Sequence, residues 1–218
     1  MRKLNGVYPA VVIENVDPND LGRIKISIPH IGASAGQHSY ETWARLATMM
    51  AGLNRGTWFI PDVNDEVLVA FEAGDMARPC VIGSLWNKTN PPPEKMDHDN
   101  NKKVIRSRNG LKITLDDLST QESLVIETPQ GQKITLKDEP GAIEIVDSNG
   151  NTVVLAANGI TLNSSTKVTV NASQVEINSS AFNINAAMSK FSGVVQCDTL
   201  ISNSVISNSY SPGAGNIW

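Results

Sequence analysis

Ile113-Thr114-Leu115, Leu124-Val125-Ile126, Ile134-Thr135-Leu136, Ile143-Glu144-Ile145 and Val153-Val154-Leu155 repeat one theme at intervals of about ten residues: two apolar side chains flanking a third position. Residues i and i+2 of an extended strand share a face, so each triplet marks a short strand with one apolar side. The theme continues through Ile160/Leu162, Val168/Val170, Val175/Ile177 and Phe182/Ile184, where the interval shortens to seven or eight residues. A repeat of this kind dictates architecture before any single residue does.

It also bears on the number of chains. A strand with two apolar side chains on one face presents an edge that a lone polypeptide leaves uncovered. A single-chain parallel β-helix covers it by wrapping, but each coil consumes roughly twenty residues. Intervals of seven or eight are too short for that. The economical solution is three chains that zigzag or wind together, so that their apolar pairs meet on a common axis. The expected trimer core is Ile160, Leu162, Val168, Val170, Val175, Ile177, Phe182 and Ile184. The spacers Asn158-Gly159, Asn163-Ser164-Ser165-Thr166, Asn171-Ala172-Ser173-Gln174 and Asn178-Ser179-Ser180 are small and suited to tight turns.

Upstream, Thr89-Asn90-Pro91-Pro92-Pro93-Glu94-Lys95 interrupts the chain with prolines that donate to no ladder, and the charged stretch Asp97 to Lys103 extends the interruption. The expected division is therefore a barrel domain over 1–88, a linker over 89–103, a trimeric β-helical spike over 104–208 and an apex segment over 209–218. Ahead of the prolines, residues 7–15 read as a strand and Asp17-Pro18-Asn19-Asp20 as a turn. Ile24, Ile26 and Ile28 alternate with Lys25 and Ser27, which is the pattern of a strand with one buried face. Further strands are expected at Trp43–Ala47, Glu66–Phe71 and Pro79–Leu85. Five short strands with little helical periodicity point to a small closed barrel of the oligonucleotide/oligosaccharide-binding (OB) type. The fold class is thus all-β, a five-stranded OB-like barrel followed by a trimeric intertwined β-helix or β-prism. Trp43, Trp58 and Trp86 are expected to fill the barrel or a protomer interface.

Asp17-Pro18…Leu21-Gly22-Arg23-Ile24-Lys25-Ile26…Pro29 resembles the opening of the phage baseplate protein V and VgrG spike family of contractile injection systems. The resemblance runs on through Trp43-Ala44-Arg45, Gly56…Phe59-Ile60-Pro61, Asp65 to Phe71 and Gly74-Asp75…Arg78-Pro79…Val81 to Trp86. It resumes at Ile105-Arg106-Ser107-Arg108-Asn109-Gly110-Leu111-Lys112, which is similar to the junction where family members leave the barrel and begin the needle. The resemblance implies a structural central spike beneath a tail tube, driven through a target envelope by sheath contraction. It further implies a separate baseplate hub protein at the N-terminal barrel and only transient contact with the target membrane. Some family members carry a His-x-His motif near the end that binds iron, whereas His30, His38 and His98 here all precede the fibre. No intrinsic metal and no cofactor are therefore expected. Pro212, Gly213, Ile217 and Trp218 form an apolar end that either docks a separate PAAR-like tip cone or closes the prism.

Composition narrows the function classes. A net charge of -4, with Arg23, Lys25, Arg45 and Arg78 few and scattered, gives no basic path for a phosphate backbone, so nucleic acid is not an expected partner. The opening Met-Arg-Lys-Leu-Asn-Gly-Val-Tyr turns polar at once, without the apolar run of a signal peptide. Synthesis and assembly in the cytoplasm are expected, with the mature form in the baseplate of a phage tail or injection particle. Cys80 and Cys197 have no metal-ligand spacing and read as plain thiols. Asp116-Asp117 reads as a solvated turn rather than an acid/base pair, and the sequence contains no Gly-x-Ser-x-Gly elbow, phosphate loop or metalloprotease helix. Neither a lysozyme nor a hub domain has room in 218 residues, so no enzyme is expected. The competing reading is a glycan-binding β-solenoid, an adhesin or tail-fibre module with an OB domain; aromatic platforms would favour it, yet residues 104–209 hold only Phe182 and Phe191.

Overall fold

The computed structural model describes residues 3–29, 31 and 39–209, which divide between two compact units, Met1–Val168 and Thr169–Trp218.

The first unit begins with the barrel. Strands β1 (Val7–Glu14), β2 (Ile24–Pro29) and β3 (Ser39–Leu46) pair antiparallel in sequence order. A small hairpin, β4 (Ala51–Gly52) and β5 (Arg55–Gly56), stands outside the barrel as its own two-stranded sheet. Then β6 (Glu66–Phe71) and β7 (Pro79–Leu85) close the ring in the order β1-β2-β3-β7-β6. Closure depends on a short parallel contact, Arg45 opposite Cys80 and Leu46 opposite Val81. The barrel leaves none of these five strands with a free edge.

Alternation fills the interior. Val12, Ile24, Ile26, Ile28, Val67, Val69 and Val81 are fully buried, and Leu4, Ala10, Ala44 and Phe71 complete the core. The centre is aliphatic, because β-branched side chains from four strands, with Ala44 from β3, already occupy a barrel this narrow. Trp58 and Trp86 accordingly do not fill it; both are largely exposed, which corrects that part of the expectation from sequence. Trp43 is half-buried, with the Arg23 guanidinium 5.7 Å from its ring centre.

The β1–β2 connection is organised by one carboxylate. Asp17 accepts hydrogen bonds from the backbone amides of Asn19, Leu21 and Arg23 at 3.0, 3.0 and 3.1 Å. Arg23 adds Nε at 3.0 Å and Nη2 at 2.8 Å, a two-pronged ion pair. The Arg23 side chain, and then the backbone donors, hold the Asp17 carboxyl far below the ordinary carboxylate range, against the opposing effect of burial. The turn chemistry expected of Asp17-Pro18-Asn19-Asp20 is present, with Asp17 as its hub.

Beyond the prolines the chain forms a seven-stranded antiparallel meander. Its strands are β8 (Lys102–Arg106), β9 (Lys112–Asp116), β10 (Ser123–Glu127), β11 (Lys133–Lys137), β12 (Ala142–Val146), β13 (Thr152–Ala156) and β14 (Gly159–Asn163). Three connections on one side use the same five-residue turn, Ser107–Leu111, Thr128–Gln132 and Asp147–Asn151. In each, the first side chain accepts from the fifth amide, at 3.0, 3.2 and 2.8 Å. The fourth residue is glycine at positive φ, and at Gly110 a Cβ would also sit 3.1 Å from Pro129 Cγ. The connections on the other side shorten along the sheet, spanning residues 117–122, 138–141 and 157–158. Two ion pairs, Arg108–Asp62 at 3.0 Å and Lys112–Glu94 at 3.7 Å, tie the start of the meander to the barrel and to the proline segment.

In the second unit every described residue from 169 to 209 is exposed, and none of them lies in a strand. Local side-chain bonds recur, Ser202 Oγ to Ser204 O and Ser207 Oγ to Ser209 O. The backbone there has no ladder within its own chain among the described residues.

Candidate assembly surface

Register turns the apolar pairs into two continuous rows. Ile105 lies opposite Ile113, Ile113 opposite Ile126, Ile126 opposite Ile134, Ile134 opposite Ile145, Ile145 opposite Val153 and Val153 opposite Leu162. The second row runs through Leu115, Leu124, Leu136, Ile143, Leu155 and Ile160 in the same way, headed by Lys103. Positions two and four of each five-residue strand face one side, and positions one, three and five face the other.

Burial in the single chain is inverted with respect to this pattern. The one buried residue of the sheet is Thr135, 3% exposed on the more polar face, where Lys137 Nζ also meets Glu144 at 3.1 Å. Its neighbours Ile134 and Leu136 on the apolar face are 39% and 40% exposed, and Ile160 reaches 75%. Isolated exposed apolar residues are ordinary on a protein surface, but two apolar rows, one over seven strands and one over six, are not. At roughly 25 cal/mol per Å² such a face is a large unspent driving force for association.

The expected core residues fall into two groups. Ile160 and Leu162 sit in β14 at the ends of the two rows, and Val168 follows them, exposed. Val170, Val175, Ile177, Phe182 and Ile184 belong to the second unit, where all are exposed and strandless. Backbone groups that leave water need a hydrogen-bond partner, so burying those side chains requires strands from another chain. The rows also take in Ile105 and the pairs from Ile113 to Leu155, which the expected core omitted although the triplets announced most of them. The apex residues Pro212, Gly213, Ile217 and Trp218 lie outside the described residues.

The charged groups nearby serve turns. Asp116 Oδ1 accepts from the Leu118 amide at 3.2 Å, and Asp117 lies 3.7 Å from Lys103. Asp147 is held down to about 2 by hydrogen bonds from the Asn151 side chain, the Asn151 amide and then Asn149. Asp116 ends β9, Asp117 and Asp147 belong to connections, and each has the local partners a solvated turn needs.

Comparison with known proteins gives two family matches along the chain. Residues 8–86 match the type VI secretion system/phage-baseplate injector OB domain, and residues 123–183 match the phage baseplate V C-terminal trimerisation domain. The second match covers the rows from Leu124 onward and continues into the strandless segment. Among individual relatives, the type VI secretion system spike protein VgrG3 of Vibrio cholerae is 27% identical over 136 residues, 61% of this chain and 12% of the relative. The type VI secretion system spike protein VgrG1b of Pseudomonas aeruginosa is 25% identical over 148 residues, 62% of this chain and 20% of the relative. The actin cross-linking toxin VgrG1 of Vibrio cholerae is 29% identical over 109 residues, 50% of this chain and 10% of that protein. The chain thus aligns with a tenth to a fifth of the length of these relatives.

Proposed function

The chain belongs to the phage baseplate V and VgrG-like spike family, and from that premise we propose that three copies form the central needle of a contractile tail or injection-system baseplate. The observation that carries this reading is the open pair of apolar rows, which three chains cover by turning their meanders toward a common axis. After the rows in sequence, the segment from Val168 to Ser209 takes its backbone partners from the two sister chains. Val168, Val170, Val175, Ile177, Phe182 and Ile184 then continue the core begun by Ile160 and Leu162.

In this role the protein works mechanically, and catalysis is not required. The barrels face a separate hub protein, sheath contraction drives the needle through the target envelope, and contact with the membrane is transient. A PAAR-like cone docks through Pro212, Gly213, Ile217 and Trp218. Folding and association are inseparable, since the apolar area that stabilises the fibre is buried only between chains.

Light scattering on the purified chain, paired with electrophoresis in denaturing detergent without heating, tests the reading. The expected species has the mass of three chains and survives the detergent. A folded single chain whose rows are already shielded from water overturns it.

A further inference from the structure

The apolar rows leave another exposed feature of the first unit without a role. The β4–β5 hairpin projects from the barrel with Leu53 at its turn, 90% exposed, and Met49 at its base, 94% exposed. It is fixed at its root by the Thr57 amide on Met50 O at 3.0 Å and by Thr48 Oγ1 on Thr57 O at 2.8 Å. Beside it lies an open cleft of about 880 Å³, between the hairpin and the β1–β2 loop, whose apolar lining includes Leu21, Leu46, Met50 and Trp58. Leu53 itself borders this cleft, so an apolar knob and an apolar hole adjoin, and among the described residues the hole stays open.

Two charges define the occupant. Asp20 stands on the loop wall of the cleft and Arg55 on the hairpin wall. Among the described residues neither has an ion-pair partner, whereas Arg45, Arg78 and Arg108 elsewhere on the unit are each paired with a carboxylate. The hairpin with its cation is complementary to the loop wall, with its anion, in the cleft of a second copy. Head-to-tail contacts of that kind close into a ring when the rotation is one of closed symmetry. The patch is also continuous with the meander: Trp58-Phe59-Ile60-Pro61 leads to Asp62, which holds Arg108 at 3.0 Å at the first turn of the sheet.

We propose that the hairpin of each barrel seats Leu53 in the cleft of the next copy, against Leu21 and Trp58, with Arg55 of one chain facing Asp20 of its neighbour. This clasp rests on the three-chain reading and adds a second interface to it. Association through the fibre holds the barrels at high effective concentration, so the clasp needs little affinity of its own. It gives Trp58 the interface role that remained once the barrel interior was found to be aliphatic.

The test uses full-length chains in a Cys80→Ser, Cys197→Ser background. One population carries Asp20→Cys and a differently tagged one carries Arg55→Cys, and the two are refolded together and oxidised. With a single thiol per chain, any disulfide joins two chains. The expected result is a mixed-tag covalent dimer, with none from either population alone, and at least tenfold slower alkylation of the thiol at position 20 after assembly. Leu53→Asp, placed at an exposed tip, should abolish the cross-link while leaving a three-chain mass. A three-chain mass with no cross-link overturns the clasp alone. So does alkylation at the rate of the dissociated chain, which leaves the cleft open to a different occupant such as a hub protein or a glycan. A one-chain mass overturns the three-chain reading and the clasp with it.

Discussion

Ile134→Asp puts a carboxylate in the middle of the apolar face, between Ile126 and Ile145 on the adjoining strands. Ile134 is 39% exposed in the single chain, and with an open side chain on the order of 180 Å² this leaves about 70 Å² to be covered on association. At roughly 25 cal/mol per Å² that is about 1.8 kcal/mol per chain and about 5 kcal/mol for three. Since ~1.4 kcal/mol corresponds to a factor of ten, the trimerisation constant should fall by between three and four orders of magnitude. The half-assembly concentration varies as the inverse square root of that constant, so it should rise roughly 70-fold. Desolvation of three carboxylates increases the effect, which makes this a lower bound. The assay is a dilution series refolded from denaturant and read by sedimentation. Ala142→Asp is the control: it makes the same charge change on the opposite face, across from Lys137, and should move the midpoint less than about threefold. Equal assembly of the wild type and the Ile134→Asp protein would refute the assignment of this face to the interface.

Hydrogen exchange on the same Ile134→Asp protein at dissociating concentration should find the amides of 169–209 unprotected, and the assembled wild type should protect them by several orders of magnitude. Asp17→Asn should lower the melting temperature of the barrel without changing the number of chains. Because the Asp17 carboxyl is depressed by folding, its stabilisation is present above the unfolded value near 4 and is lost as pH falls through the folded one, so the variant should show a flatter acid limb in a pH series. Asp147 follows the same sign, and with its carboxyl held to about 2 the turn it caps should weaken between about pH 4 and 2, a dependence that Asp147→Ala removes. Gly110→Ala and Gly150→Ala both place a side chain at positive φ, at a cost of about 1–2 kcal/mol each. Only the former also meets Pro129, so it should lower the melting temperature more.

Much of the barrel was legible because its strands bury one face and alternate. Ile24, Ile26 and Ile28 are all fully buried, and the strands expected at Glu66–Phe71 and Pro79–Leu85 occur with those bounds. The β3–β7 contact that closes the ring was not legible, since a two-residue parallel pairing leaves no local pattern. Large aromatic side chains misled for a related reason: residue size signals burial somewhere, but the width of the barrel decides whether it can be inside, and Trp58 and Trp86 lie outside. In the fibre, spacing identified strands but not their partners. Val153 to Ile160 and Val168 to Val175 are both seven residues apart. The first interval is a hairpin within the chain, while the second belongs to a segment with no ladder of its own among the described residues. Lys103 was hidden for another reason, because only register reveals that a lysine heads an otherwise aliphatic row.

The meander shares a property with stacked repeat folds. Its strands are all five residues long and keep the same two positions in line from one hairpin to the next, so adding or deleting a strand pair changes the fibre by two steps of about 4.8 Å and leaves every other contact in place. Reach therefore becomes a matter of copy number. Tandem duplication or loss of a segment of about twenty residues can lengthen or shorten such a sheet without redesigning the packing of the remaining strands.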